Sequence, residues 1–133
     1  MAGETVLVVE DNAMNMELIS DILEAQGYRV VQVMNGTDAL KRVPAEGPDL
    51  VLMDVQLPGL DGLTVTGILK DDPKTREIPI IALTAHTMRG DEERAREAGC
   101  DGYISKPIDT RQLPITIRAF LDRKSQGTSS DEN

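Results

Sequence analysis

The chain is poor in aromatic residues: Tyr28, Tyr103 and Phe120 are the whole set, and tryptophan is absent. Its interior must therefore be assembled from Val, Leu, Ile, Ala and Met. Cysteine is almost missing as well. Cys100 alone permits neither an intramolecular disulfide nor a thiolate metal cluster. Lying beside Gly99 and outside any Cys–His spacing, it reads as a small buried residue at a helix–strand turn. Positive charge is also scarce, with 14 Lys and Arg against 23 Asp and Glu and a formal net charge of −9. Such a field argues against general binding of nucleic acid or anionic membranes, both of which need basic surfaces. No apolar run reaches membrane-spanning length, and the N-terminus lacks a basic segment followed by an apolar stretch. The expected location is the cytoplasm.

What is present fits one globular domain. Hydrophobic residues make up 40% of the 133 positions, enough for a core without disulfides or a structural metal. Short apolar runs recur at even intervals: Val6 to Val9, Val30 to Val33, Leu50 to Met53, Ile78 to Leu83, and Tyr103-Ile104. Stretches with helical spacing separate them. Near-continuous β-branched runs alternating with helices imply a parallel sheet covered on both faces. The expected fold is (βα)₅, an open doubly wound α/β sheet with right-handed crossovers.

Individual helices can be followed. In the first, Asn12 is the expected N-cap, Leu18, Ile19, Ile22 and Leu23 form the apolar stripe, and Gly27 supplies the stop. The second, from about Thr37, is expected to be short, because Pro44 costs a continuing helix a hydrogen bond and a clash. The fourth, around Asp91 to Ala98, is charged and has mainly alanines for an apolar face, so it should be weakly held. The last uses Leu113, Ile117, Phe120 and Leu121, with Pro114 tolerable only in its first turn. The folded domain is expected over residues 4–123, with a disordered polar tail over 124–133.

In an open parallel sheet, ligands sit outside the carboxyl ends of the strands. Strand one ends in Glu10-Asp11, strand three in Asp54, strand four in Thr84-Ala85 and strand five near Lys106-Pro107. A lone Asp after a strand is usually a turn residue. Carboxylates, a hydroxyl and an ammonium arriving from four strand ends are a different matter. Clustered carboxylates repel, and an all-oxygen acidic site suits Mg²⁺, which keeps waters and binds phosphate oxygens. Lys106 would balance an incoming phosphoryl group, Thr84 would donate a hydrogen bond to it, and the small Ala85 would leave it room. Asp54, ending the central strand opposite Lys106, is the best nucleophile for an acyl phosphate, whereas Glu10 and Asp11 share a loop suited to holding metal.

The segments Val8-Val9-Glu10-Asp11-Asn12, Leu52-Met53-Asp54-Val55-Gln56-Leu57-Pro58, Leu83-Thr84-Ala85 and Tyr103-Ile104-Ser105-Lys106-Pro107 together resemble response-regulator receiver domains. The match runs in order over residues 4 to 123. The resemblance implies a flavodoxin-like strand order 2-1-3-4-5. It implies that a phosphohistidine on a histidine kinase or histidine phosphotransfer protein donates its phosphoryl group to Asp54. It further implies Mg²⁺ on Glu10, Asp11, Asp54 and the backbone carbonyl of Gln56. The Glu-Asp-Asn-x-x-Asn opening, Glu10 to Asn15, is similar to that of single-domain cell-cycle regulators and hybrid-kinase receivers.

Tyr103 stands where receivers carry a switching aromatic, and is either that switch or a core tyrosine. As a switch, its ring would turn inward when Thr84 is drawn to the phosphoryl group, reshaping the face of helix four, strand five and helix five for a downstream protein. Gln56 and His86 stand where receivers tune a hydrolytic water, though His86 also reads as simply solvated. Asn15 either ties the first helix to the loop at Pro107 or bonds locally within its own turn. Met14 and Met16, flanking the apolar stripe, are candidates for docking a kinase or phosphotransfer helix, or are ordinarily part-buried.

Rival chemistries lack parts. A haloacid-dehalogenase-type phosphatase needs an acid where Gln56 stands, so turnover of external esters is not expected. A dinucleotide binder needs a Gly-rich loop where Glu10-Asp11 would repel phosphates. A phosphorylation-independent scaffold of the same fold has no use for the complete chemical set. The starting Met and short polar tail favour a free-standing regulator over a receiver cut from a hybrid kinase.

Overall fold

The computed structural model describes residues 3–84 and 89–130. Strands and helices alternate: β1 Thr5–Val9, α1 Ala13–Ala25, β2 Arg29–Val33, α2 Gly36–Glu46, β3 Leu50–Asp54, α3 Gly62–Asp71, β4 Ile80–Thr84, α4 Arg89–Ala98, β5 Gly102–Ser105 and α5 Gln112–Ser130. The strands form one five-stranded sheet in the order β2-β1-β3-β4-β5. Every pairing is parallel. The expected doubly wound architecture and strand order are both present.

Alternation along β1 divides the interior in two. Val6 and Val8 join Leu50, Leu52, Ile81 and Leu83 beneath α1 and α5, meeting Ile19, Leu23, Leu113 and Ile117. Leu7 and Val9 face the other way with Val31, Val51, Met53 and Ile80, beneath Val43 of α2 and Val65 and Leu69 of α3. Each fully buried aliphatic side chain contributes roughly 1.5–3 kcal/mol of transfer free energy. β3 and β4 are buried along their whole lengths, so the carboxyl end of β3 is fixed from both faces. α4 adds only Ala95 to the buried set among the described residues, in keeping with a weakly held helix.

The sequence reading needs correcting at several points. α2 continues through Pro44 to Glu46 and stops on left-handed Gly47, whose N–H donates to the Val43 carbonyl at 3.0 Å. Pro44 lies in the last turn, so the bond its missing N–H forgoes falls where only Ala45 and Glu46 remain to follow in the helix. β4 begins at Ile80, because Ile78 turns back to Thr75 and Pro79 has no N–H for a ladder. Helical backbone in α5 is described as far as Ser130. In α1 the inward line is Met16, Ile19 and Leu23, while Leu18 is 37% exposed. The helix is rotated slightly from the stripe its sequence suggests.

Candidate functional site

Glu10, Asp11 and Asp54 each offer a carboxylate oxygen, and these oxygens lie within 4.8 Å of one another. Adjacency of β1 and β3 brings them together, since Val9 pairs with Met53 and the next residues, Glu10 and Asp54, follow at the strand ends. Glu10 and Asp54 are buried, whereas Asp11 is exposed at the rim. Lys106 reaches in from the end of β5, with Nζ 3.0 Å from Asp54 Oδ2 and 3.0 Å from Glu10 Oε1. The other Asp54 oxygen accepts the Gln56 N–H at 2.9 Å, so one oxygen is pinned by backbone and one by an ammonium. An acidic residue at the end of a strand thus becomes an oriented carboxylate.

Two buried oxygens at this edge have no hydrogen-bond partner among the described residues: Glu10 Oε1 and Thr84 Oγ1. Glu10 Oε1 is in ion-pair contact with Lys106 without being aligned for a hydrogen bond. Unmet buried acceptors are costly and mark places where a further group belongs. An oxygen-only donor set with two buried anions fits a hard divalent cation, and the Thr84 hydroxyl is available to an anionic group beside it.

Burial pushes the Glu10 carboxyl above the usual range, and the Asp54 charge adds to this; Lys106 offsets only part. Burial also works against the Lys106 ammonium, but the two carboxylates outweigh it and hold its pKa above the ordinary value. For Glu10 the sign is clear. The folded protein holds this proton more tightly than the unfolded chain, so metal-free stability falls as pH rises from the ordinary carboxylate range through the raised folded value. Glu10→Gln therefore stabilises the metal-free protein at neutral pH, by about 2–6 °C in melting temperature. The gain is smaller at acidic pH, because the raised pKa favours the protonated carboxyl there. Thermal unfolding in chelator at neutral and acidic pH checks this.

The first turn of α3 presses on the same strand end. A Cβ on Gly62 would stand 2.1 Å from the Asp54 carbonyl oxygen and 2.9 Å from Val55 Cα. Nothing in that backbone can yield without moving Asp54. Asp61 caps the helix, its carboxylate accepting the Thr64 N–H at 2.9 Å. Gly62→Val should lower cation affinity and phosphoryl uptake together by about tenfold or more, because small misplacements of reacting groups are expensive. Unchanged cation titration in a folded Gly62→Val protein would contradict that. The sequence reading did not single out Asp61 or Gly62; an Asp-Gly pair opening an apolar period is the signal available.

Other predicted residues fall as follows. Met14 is 80% exposed at the start of α1. Met16 is 4% exposed within the core and is not a docking residue. Asn15 is half-buried, and its described hydrogen bond is local: its N–H donates to Asn12 Oδ1 at 2.9 Å, with no tie to Pro107 among the described residues. Pro107 and Gln56 are exposed. Tyr103 is 38% exposed, so it is not a core tyrosine here. Its hydroxyl donates to Glu92 Oε1 at 3.0 Å, and that bond raises the Tyr103 pKa. Cys100 lies at the turn between α4 and β5, half-buried where a buried residue was expected, with its thiol pushed up by burial. Ala85 and His86 lie outside the described residues.

Similarity to known proteins agrees with this geometry. A profile of the response regulator receiver domain matches residues 6–118. The polar-differentiation response regulator DivK of Brucella anthropi is 50% identical over 118 residues, covering 89% of this chain and 96% of that protein. The receiver domain of sensor histidine kinase PA1611 from Pseudomonas aeruginosa, solved with a magnesium ion in its active-site cleft, superposes with a TM-score of 0.85. It shares 36% identity and covers 91% of this chain and 99% of its own. A CheY-like receiver from Methanospirillum hungatei superposes at 0.87 with 25% identity, over 95% of this chain and 99% of its own. Profile, relatives and an acidic pocket closed by a lysine agree: the chain belongs to the response regulator receiver family of two-component signalling.

Proposed function

We propose that Asp54 accepts a phosphoryl group from a phosphohistidine on a histidine kinase or histidine phosphotransfer protein, and that the chain signals by contacts that depend on this modification. The carrying observation is the pinned Asp54 carboxylate, 3.0 Å from Lys106 and within a three-carboxylate cluster. In the transfer, an Asp54 oxygen forms the new bond to phosphorus as the nitrogen–phosphorus bond breaks, and the released imidazole takes up a proton. Lys106 and the Thr84 hydroxyl receive the charge on the phosphoryl oxygens. Glu10, Asp11, Asp54 and the backbone carbonyl of Gln56 would hold Mg²⁺, which supplies positive charge to both carboxylates and phosphoryl oxygens.

Several finer assignments belong to the same reading. Exposed Met14 beside the site, with Pro107 across it, forms part of the surface met by the donor. Gln56 tunes the approach of a hydrolytic water, and the chain does not turn over external esters. Output passes through the face of α4, β5 and α5, with Tyr103 as the switch. No described helix is long and apolar enough to cross a membrane; we place the chain in the cytoplasm as an acceptor for cytoplasmic kinase modules.

A small phosphodonor such as acetyl phosphate, with and without Mg²⁺, tests the proposal. Intact-mass measurement should show one phosphoryl adduct only with the metal. Absence of any adduct would sink the mechanism and leave the fold untouched.

A further inference from the structure

Tyr103 is held outward by a particular contact. Its hydroxyl donates to Glu92 Oε1 at 3.0 Å, and Glu92 Oε2 is paired with Arg96 at 3.1 Å. Arg96 thus presents the Glu92 carboxylate to the tyrosine from one turn further along α4. The ring lies in a groove lined also by Ala95, Gly102 and Phe120. Phe120 packs so closely that a Cβ on Gly102 would stand 2.4 Å from its ring. On the neighbouring strand, Thr84 Oγ1 is buried without a partner among the described residues. The chain therefore carries a tethered, outward aromatic on the strand next to the one that ends in Thr84.

We infer that Glu92 is a positioning residue that stabilises the outward station of Tyr103 and thereby sets how readily Asp54 is modified. The inference rests on the reading of Tyr103 as the switch and adds the group that opposes it. The Glu92 bond exists only while the ring is outward. Any ligand at Asp54 that draws Thr84 and turns the ring inward must work against that bond. α4 can carry such a restraint because Ala95 is its one buried side chain among the described residues. Glu92 touches none of the reacting atoms and acts through Tyr103 alone.

The test uses beryllofluoride with Mg²⁺ as the phosphoryl mimic and fluorotyrosine NMR as the reporter of ring position, with buried Tyr28 as the internal reference. Glu92→Ala should tighten beryllofluoride binding about three- to tenfold, the effect of one partly exposed hydrogen bond to a charged acceptor. It should also shift the Tyr103 signal toward its bound position before ligand is added. The gain in affinity should vanish in a Tyr103→Phe background, which has no hydroxyl to hold. Arg96→Ala keeps the Tyr103 contact and should change affinity less than about twofold. A Tyr103 signal unmoved by beryllofluoride in the wild type removes the switch, and the latch with it. A signal that moves in the wild type, with Glu92→Ala leaving affinity unchanged or acting equally without the Tyr103 hydroxyl, overturns the latch alone.

Discussion

Asp54→Asn takes up no phosphoryl group from acetyl phosphate under conditions that modify the wild type fully. The change is nearly isosteric, so the amide oxygen can still accept the Gln56 N–H that holds Asp54 Oδ1 at 2.9 Å. What disappears is the negative charge and the nucleophilic oxygen. An amide is too weak a nucleophile to form an acyl phosphate. Affinity for Mg²⁺ should fall by about tenfold or more, because one of three anionic ligands has gone. Stability should change by only about 1 kcal/mol, since Lys106 keeps its partner in Glu10. Intact-mass measurement and a Mg²⁺ titration together decide the matter. An adduct on Asp54→Asn equal to that on the wild type would assign the acceptor to another residue.

Lys106→Met produces the second large effect and separates two roles that Asp54→Asn removes together. The ammonium is 3.0 Å from both Asp54 and Glu10, and its side chain is 17% exposed. Methionine keeps the length of the arm and discards the charge. Two buried carboxylates are then left facing each other, and the metal-free protein should lose about 2–4 kcal/mol, toward the cost of breaking a buried pair. Adding Mg²⁺ should recover most of that loss and bind more tightly than in the wild type, because a competing positive charge is gone. Phosphoryl uptake should nevertheless slow by about a hundredfold or more, the usual consequence of deleting a charge aimed at developing negative charge. Unfolding in chelator and in Mg²⁺, alongside the rate with acetyl phosphate, checks all three. A variant that binds Mg²⁺ more weakly yet reacts normally would reverse the assignment.

The cluster of Glu10, Asp11, Asp54, Thr84 and Lys106 was legible because its logic is topological. A strand marked by four or five apolar residues announces where it ends, and a parallel sheet brings those ends to one edge. The receiver-like segments then supplied roles and strand order. Contacts between surfaces were not legible. Nothing in the letters around Gly62 says that its missing side chain lies against the Asp54 carbonyl, or that Glu92 meets Tyr103 across a groove. Met16 and Leu18 exchanged places because a helical stripe gives the buried face only to within a residue or so. The exact roll of α1 on the sheet depends on the strands beneath it. Pro44 was over-read, since the helix has only two residues left to run beyond it.

The uneven burial of the sheet and of α4 implies a gradient of persistence along the chain. Amide protons in β3 and β4, shielded on both faces, should exchange with solvent only when the whole domain opens. Those of α4, anchored through Ala95 and the Glu92–Tyr103 bond, should exchange through a smaller opening that leaves Glu10, Asp54 and Lys106 in place. The receptive site and the face that reports on it would thus belong to separate units of stability. One can loosen or tighten for a partner while the other keeps its geometry.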